Sequence, residues 1–291
     1  MALAETIQII LQASMIFLFA SLGEVFDERS GVLNIGLEGM MLVGALTSII
    51  VSETTANPWI GVLAGMAAAG VLALAHGIMA VSLKVSQVVS GTGVWLFGLG
   101  ITTYFGAKFI GPVQNTIDIT IAGFTPLFYI GLLLVPILWF VIFKTSFGLR
   151  VRTVGEDPAV AEAAGINVIR TRHICVVTGG LLAGLSGAYL ALVYTGVWSE
   201  HLTLGRGWIA LAIVAFSFWR PFLTLAGSIG FGALWVAALK LQGQIPYLST
   251  NLLKLLPYLL TAIVLVIMSL ESFRTKIGPP AALTKPYFPE E

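Results

Sequence analysis

Apolar residues in this chain come in long unbroken runs, and the breaks between runs fall at Gly, Pro and charged positions. Read against those breaks, the pattern predicts about nine helices, near 6–22, 31–52, 58–83, 87–107, 125–143, 174–197, 207–219, 222–241 and 255–270, most of them long enough to cross a hydrocarbon core of about 30 Å. The run 207–219 is short and stops at Arg220-Pro221, so it also reads as half of a broken helix. Such breaks are tolerated at membrane depth where the backbone lines a protein-enclosed cavity. The fold class expected is an all-α integral membrane protein, a polytopic helical bundle of about 8–10 spans that fills 1–291 as one transmembrane domain.

Composition strengthens that reading. Hydrophobic residues make up 57% of the chain and charged ones 10%, with a mean hydropathy of +0.96, whereas a soluble domain carries roughly a quarter charged residues. Lipid is therefore the expected surrounding. A net charge of +1 gives no footprint for nucleic acid. The single cysteine, Cys175, excludes an intrachain disulfide and most cysteine metal sites. The opening "MALAETIQII" lacks the basic head of a secretory signal, so the first run is expected to stay as a span.

Orientation follows from Lys and Arg outside the spans. Lys144, Arg150, Arg152, Arg170 and Arg172 sit in the loop 144–173, and Arg274, Lys276 and Lys285 in the tail, which places both on the cytoplasmic side. Counting back puts 23–30, Lys84 and Arg220 inside as well. The N-terminus and the loops near 53–57, 108–124, 198–206 and 242–254 fall outside.

Polar residues within the spans are few. Asn34 and Glu38, four apart in a predicted helix, are expected to share one face with Met41, Leu42 and Ala45. A carboxylate near mid-membrane costs roughly 3 kcal/mol on insertion scales, so Glu38 should face protein or a polar pathway. It reads either as a hydrogen-bonding tie to a neighbouring hydroxyl or backbone group, or as a pathway residue. His76, inside "LALAHGIMA", reads as a packing histidine or as a proton-relay or ligand-binding one. Trp59, Trp198, Trp208 and Trp219 lie near span ends, where interfacial anchoring is the simplest expectation. Gly61, Gly65, Gly180, Gly184 and Gly187 suit close helix packing. Glu200, His201 and Arg206 are expected in an outer loop, and Lys240 is expected to snorkel.

The loop 144–173 is longer than a connection needs, which marks it as functional or disordered. In "EDPAVAEAAGINV" Asp157 is a capping residue, Pro158 fits the first turn and Gly165 a stop, so a short helix is predicted. Such a helix either rests on lipid head groups or docks a partner. No G-x-x-x-x-G-K-[ST] phosphate loop, no H-E-x-x-H and no Ser/His/Asp set is present, so no cofactor or catalytic site is expected. A membrane chain of this kind is most simply a translocation pathway, powered by another subunit or by an ion gradient.

The stretches "GVLNIGLEGMMLVGA", "FGLRVRTVGEDPAVAEAAGI", "GRGWIALAIVAFSFWRPF" and "LPYLLTAIVLV" resemble the ABC-importer permeases of the ribose, nucleoside and branched-chain amino-acid group, most of all the nucleoside-uptake subgroup with two related permeases. The resemblance covers nearly the whole chain. It implies a non-catalytic permease subunit, paired with a second permease, served by cytoplasmic ATPase subunits and an extracytoplasmic binding protein in a bacterial plasma membrane. It further implies that "EAAG", Glu162, Ala163, Ala164 and Gly165, belongs to the ATPase-coupling helix, with Arg152, Glu156, Asp157 and Pro158 around it. Asn34, Glu38, Met41 and His76 would lie near the pathway. A simple sugar or riboflavin is the alternative cargo, and a proton-coupled carrier using Glu38 or His76 the alternative mechanism.

Overall fold

Long apolar runs become long helices because no other structure satisfies the backbone in lipid. In the computed structural model, which describes residues 3–242 and 278–288 together with Leu259, Ala262 and Val266, seven helices are long and apolar enough to span a membrane. They are α1 (Leu3–Arg29), α2 (Leu37–Thr55), α3 (Pro58–Gly77), α4 (Gln87–Gly106), α5 (Pro126–Lys144), α8 (Val168–Tyr189) and α10 (Pro221–Gln242). Wider π turns extend α3 to Ser82 and α8 to Thr195. Three shorter helices join them: α6 (Ser146–Glu156), α7 (Pro158–Ala163) and α9 (Arg206–Phe216). The span predicted over 255–270 lies outside the described residues apart from the three named.

Two expectations need correction. Residues 23–30 are not a loop: α1 continues through Arg29, carrying Glu24, Asp27 and Glu28 into the buried interior. The helix predicted from 31 starts at Leu37 instead. Gly31, at φ +87°, ends α1, and 32–34 run without helical structure before a turn at 35–36. Asn34 therefore precedes the helix that holds Glu38, and the two share no helix face.

Helix α1 is buried without interruption from Ala13 to Glu28, as expected of a helix that is apolar on every side over most of its length. It packs against α5, α8, α9 and α10, while α2 and α3 close against α8. Glycines set that closeness. A Cβ on Gly44 would sit 2.6 Å from the Gly184 Cα, one on Gly184 2.6 Å from the Gly65 carbonyl oxygen, and one on Gly65 2.5 Å from the Gly44 carbonyl oxygen. Three backbones thus meet where no side chain fits, which is how helices gain van der Waals contact in lipid.

Helix α9 has 11 residues, about 16 Å at 1.5 Å per residue and so half a span. Its far end turns through Phe218 and Trp219, both at positive φ, into α10. At one end of the bundle the strands β1 (Gly111–Pro112) and β2 (Val197–Trp198) pair antiparallel, Gly111 opposite Trp198. Glu53 accepts the backbone N–H groups of Gln114 and Asn115 there at 2.8 and 2.9 Å. Lys240 meets Thr6 beside it at 2.5 Å. The opposite, basic end gathers Arg29, which donates to the Trp219 and Phe218 carbonyls at 3.1 and 3.3 Å, together with α6, α7 and residues 278–288.

Candidate functional site

The half-helix α9 begins inside the bundle, so its first backbone N–H groups need an acceptor from elsewhere. Glu38, at the start of α2, supplies it. Gly205 N–H donates to Oε1 at 2.7 Å, Gly207 N–H donates to Oε2 at 2.6 Å, and the Thr203 hydroxyl donates to Oε1. A carboxylate at a helix N-terminus also meets the positive end of the helix dipole. Gly207 permits the approach, since a Cβ there would lie 2.7 Å from the Glu38 Cα. The tie to a hydroxyl and backbone groups, one of the two readings open in the sequence, is the geometry found.

Beside this anchor lies a groove of about 260 Å³, lined by Glu38, Leu42, Trp95, Leu99, His201, Thr203, Leu204, Gly205 and Trp208. Trp95 and Trp208 meet edge to face in it, with ring centroids 5.4 Å apart and planes at 80°. Both are half-buried. The surface offers aromatic faces and the imidazole of His201, while its carboxylate and the buried Thr203 hydroxyl are engaged with each other. Such a surface suits an uncharged solute with a flat apolar face.

Of the residues proposed for the pathway, Glu38 alone lines this groove. Asn34 is fully buried against α1: its N–H donates to Glu24 Oε1 at 2.9 Å and its Nδ2 to Asp27 Oδ2 at 3.2 Å. His76, also fully buried, contacts Ser90 Oγ at 2.7 Å and the Leu33 carbonyl at 3.2 Å. Met41 is buried beneath Gly187, where a Cβ would come within 2.0 Å of the Met41 carbonyl oxygen. Three of the four tryptophans at span ends are engaged within the protein. Trp208 lines the groove, Trp198 is buried against Gly106, and Trp219 donates from Nε1 to Glu28 Oε2 at 2.6 Å. Sequence reasoning missed Trp95, whose sole signal was an aromatic ring amid the small residues of "SGTGVWLFGLG".

At the basic end, the loop 144–173 is ordered as two helices. Helix α6, which the sequence reading did not anticipate, buries Gly148, Val151, Val154 and Gly155 at helical spacing and is capped by Thr145 Oγ1, which accepts the Gly148 N–H at 3.1 Å. Arg152 lies on it with its guanidinium 5.5 Å from the Phe143 ring centroid. Glu156 ends it. Asp157 Oδ1 then caps α7, accepting the Ala159 and Val160 N–H groups at 3.0 and 3.1 Å, and Pro158 opens it. Gly165, at φ +78°, follows its end. Glu162, Ala163, Ala164 and Gly165 are exposed, as is Val160 at 57%. Ala164 and Gly165 border a groove of about 440 Å³ whose lining includes Phe147, Arg150, Asn167, Arg170 and Ile174.

Comparison with known proteins gives this arrangement its context. The family described as "Branched-chain amino acid transport system / permease component" matches residues 6–268. TsgC13 of Haloferax volcanii, an ABC transporter permease provisionally assigned to glucose, is 36% identical over 312 residues, covering 95% of each chain. The guanosine ABC transporter permease NupQ of Bacillus subtilis is 33% identical over 321 residues, 99% of this chain and 98% of its own. A second guanosine permease of the same bacterium, NupP, is 24% identical over 222 residues, 68% of this chain and 64% of its own. No solved structure matches significantly. With a match that spans nearly its whole length, seven helices among the described residues long and apolar enough to span a membrane, and full-length permease relatives, the chain belongs to the branched-chain amino acid transport system permease-component family, as a multi-pass membrane permease of the ABC type.

Proposed function

We propose that this permease imports a nucleoside across the plasma membrane, with the groove at Trp95 and Trp208 as part of its path. The observation that carries the reading is the pair of tryptophans set at 80° to each other beside the start of the half-helix α9. A nucleobase gains roughly 1–3 kcal/mol by stacking on an aromatic side chain, and the groove presents two such side chains next to the exposed His201 for ribose or base edges. The guanosine assignment of NupQ agrees with that chemistry.

The whole chain acts as one permease domain, without catalysis of its own. Its second half is a related permease, an arrangement favoured by the match of both NupQ and NupP. Separate ATPase subunits bind the exposed surface of Glu162 to Gly165, with Arg152, Glu156, Asp157 and Pro158 holding that surface in place. The basic end and the C-terminus are cytoplasmic, in keeping with the excess of Lys and Arg there, and an extracytoplasmic binding protein delivers the solute to the opposite end.

The test is uptake of labelled nucleosides into proteoliposomes holding this chain and its co-purifying subunits, with ATP or with an imposed proton gradient. ATP-dependent nucleoside uptake, abolished by Glu162→Lys or Gly165→Val while membrane insertion persists, is the expected result. Uptake of glucose in place of nucleosides would move the cargo to the sugars. Uptake by this chain alone on a proton gradient would overturn the ATP-driven reading.

A further inference from the structure

Helix α7 has six residues and buries Ala161 alone among them. A helix that short has no stability of its own in water, and one buried methyl group cannot fix its angle. Something else must hold it.

Residues 278–288 cross both short helices and supply that hold. The Ala282 N–H donates to the Gly155 carbonyl at 2.9 Å, close to the joint between α6 and α7. Ala282 is 5% exposed, and its own carbonyl oxygen would lie 3.2 Å from a Cβ on Gly31, just past the end of α1. Five residues on, the Tyr287 hydroxyl donates to the Glu162 carboxylate on α7. Its ring packs with a buried cluster made of Val154 from α6, Ala161 from α7 and Val168 from α8. Between these anchors, Arg172 Nη1 donates to the Lys285 carbonyl at 3.5 Å while its Nε donates to the Ser30 carbonyl at 3.1 Å. One nearly buried arginine thus joins the tail to the end of α1.

We propose that residues 278–288 form a strap that sets the angle of α7, with Tyr287 as its positioning residue, so that a displacement of α7 passes through the strap and Arg172 to the end of α1. The inference rests on the importer reading, because the displacement is imposed by an ATPase partner. Helix α1 also packs against α9, the half-helix beside the groove, so a shift at its end reaches the element that borders the path. The strap and α7 move as one body because Tyr287 bonds Glu162 of α7 and packs against the cluster to which α7 contributes Ala161.

The experiment places Tyr287→Ala and Tyr287→Phe in the full transporter, with its ATPase and binding protein, and reads three quantities: subunit co-purification, ATP hydrolysis, and nucleoside taken up per ATP. Tyr287→Ala is expected to retain its subunits and hydrolyse ATP while uptake per ATP falls by roughly 2- to 30-fold, the range of a coupling residue remote from both ligands. Tyr287→Phe, which keeps the ring and loses the bond to Glu162, is expected to fall between Ala and wild type. Unchanged uptake per ATP in Tyr287→Ala overturns the strap. Loss of the ATPase from that variant also overturns it, since the tail would then serve assembly rather than positioning. Wild-type protein that takes up neither nucleoside nor glucose with ATP overturns the importer reading instead, so the two failures are told apart.

Discussion

The non-helical stretches 31–36 and 202–205 solve the same problem in opposite ways. Each leaves backbone groups off the helical ladder, and other elements must pair those that are buried. The first is held from several sides. Gln87 accepts the Leu33 N–H at 2.7 Å and donates to the Gly31 carbonyl at 3.2 Å, Glu24 accepts the Asn34 N–H, and His76 contacts the Leu33 carbonyl. These partners come from α1, α3 and α4. The second is held at its end by a carboxylate from α2, that of Glu38, and by Arg206 of α9, which donates to the Leu202 and Thr203 carbonyls at 3.0 and 3.1 Å. It also opens on the groove, with Leu204 51% exposed. Anchoring from three other helices suits a fixed joint, whereas one carboxylate and one arginine beside an open groove suit an element that a solute or a conformational change must reach.

The sharpest way to break the comparison is to remove one carboxylate from each side. Glu38→Leu strands the N–H groups of Gly205 and Gly207 and the Thr203 hydroxyl, at about 1–3 kcal/mol for each buried donor left unpaired. Nucleoside uptake is expected to be lost and the thermal midpoint in detergent to fall. Glu24→Gln keeps an acceptor for the Asn34 N–H and should leave both close to wild type. Full uptake in Glu38→Leu would show that α9 does not depend on this anchor.

The spans among the described residues were legible because hydropathy reports directly on the solvent, and the shortness of α9 showed in Arg220-Pro221. The capped helix was legible too, because Asp157, Pro158 and Gly165 each carry a local backbone preference. What escaped the sequence depends on partners remote in the chain. Glu24, Asp27 and Glu28 fall in the stretch 23–30 read as an inner loop, because three acids in five residues usually mean water. Here donors from Asn34 and Trp219 bring all three of them onto hydrogen bonds inside the bundle. The pairing of Asn34 with Glu38 failed for a related reason: Gly31 stops the helix, and helical spacing means nothing across an unwound segment. Trp95 lay unmarked mid-span because its role arises from Trp208, more than a hundred residues away.

A smaller effect tests the open side of the comparison. Trp208→Ala or Trp95→Ala removes one face of the aromatic corner while leaving Glu38 and its three donors in place. The KM for nucleoside uptake is expected to rise by roughly 5- to 150-fold, the equivalent of 1–3 kcal/mol for a lost stacking partner, with little change in thermal stability. An unchanged KM in both variants would place solute recognition elsewhere on the path.

The smallest effect belongs to His76, on the sealed side. Its Nε2 faces the Leu33 carbonyl, which can only accept, so Nε2 carries the proton and Nδ1 accepts from the Ser90 hydroxyl; the tautomer is assigned from these partners. Both ring nitrogens are thereby committed, and the side chain has no exposed surface. A glutamine in its place offers one donor for Leu33 and one acceptor for Ser90, so His76→Gln should keep uptake within a factor of about two of wild type, since no buried group loses its partner. The dependence of uptake on pH should be unaltered as well. His76→Leu, which leaves the Leu33 carbonyl and the Ser90 hydroxyl unpaired, should lower the thermal midpoint without changing the KM, the signature of a joint rather than of a path. A shifted pH profile in His76→Gln would instead make this histidine a proton carrier and erase the distinction between the two stretches.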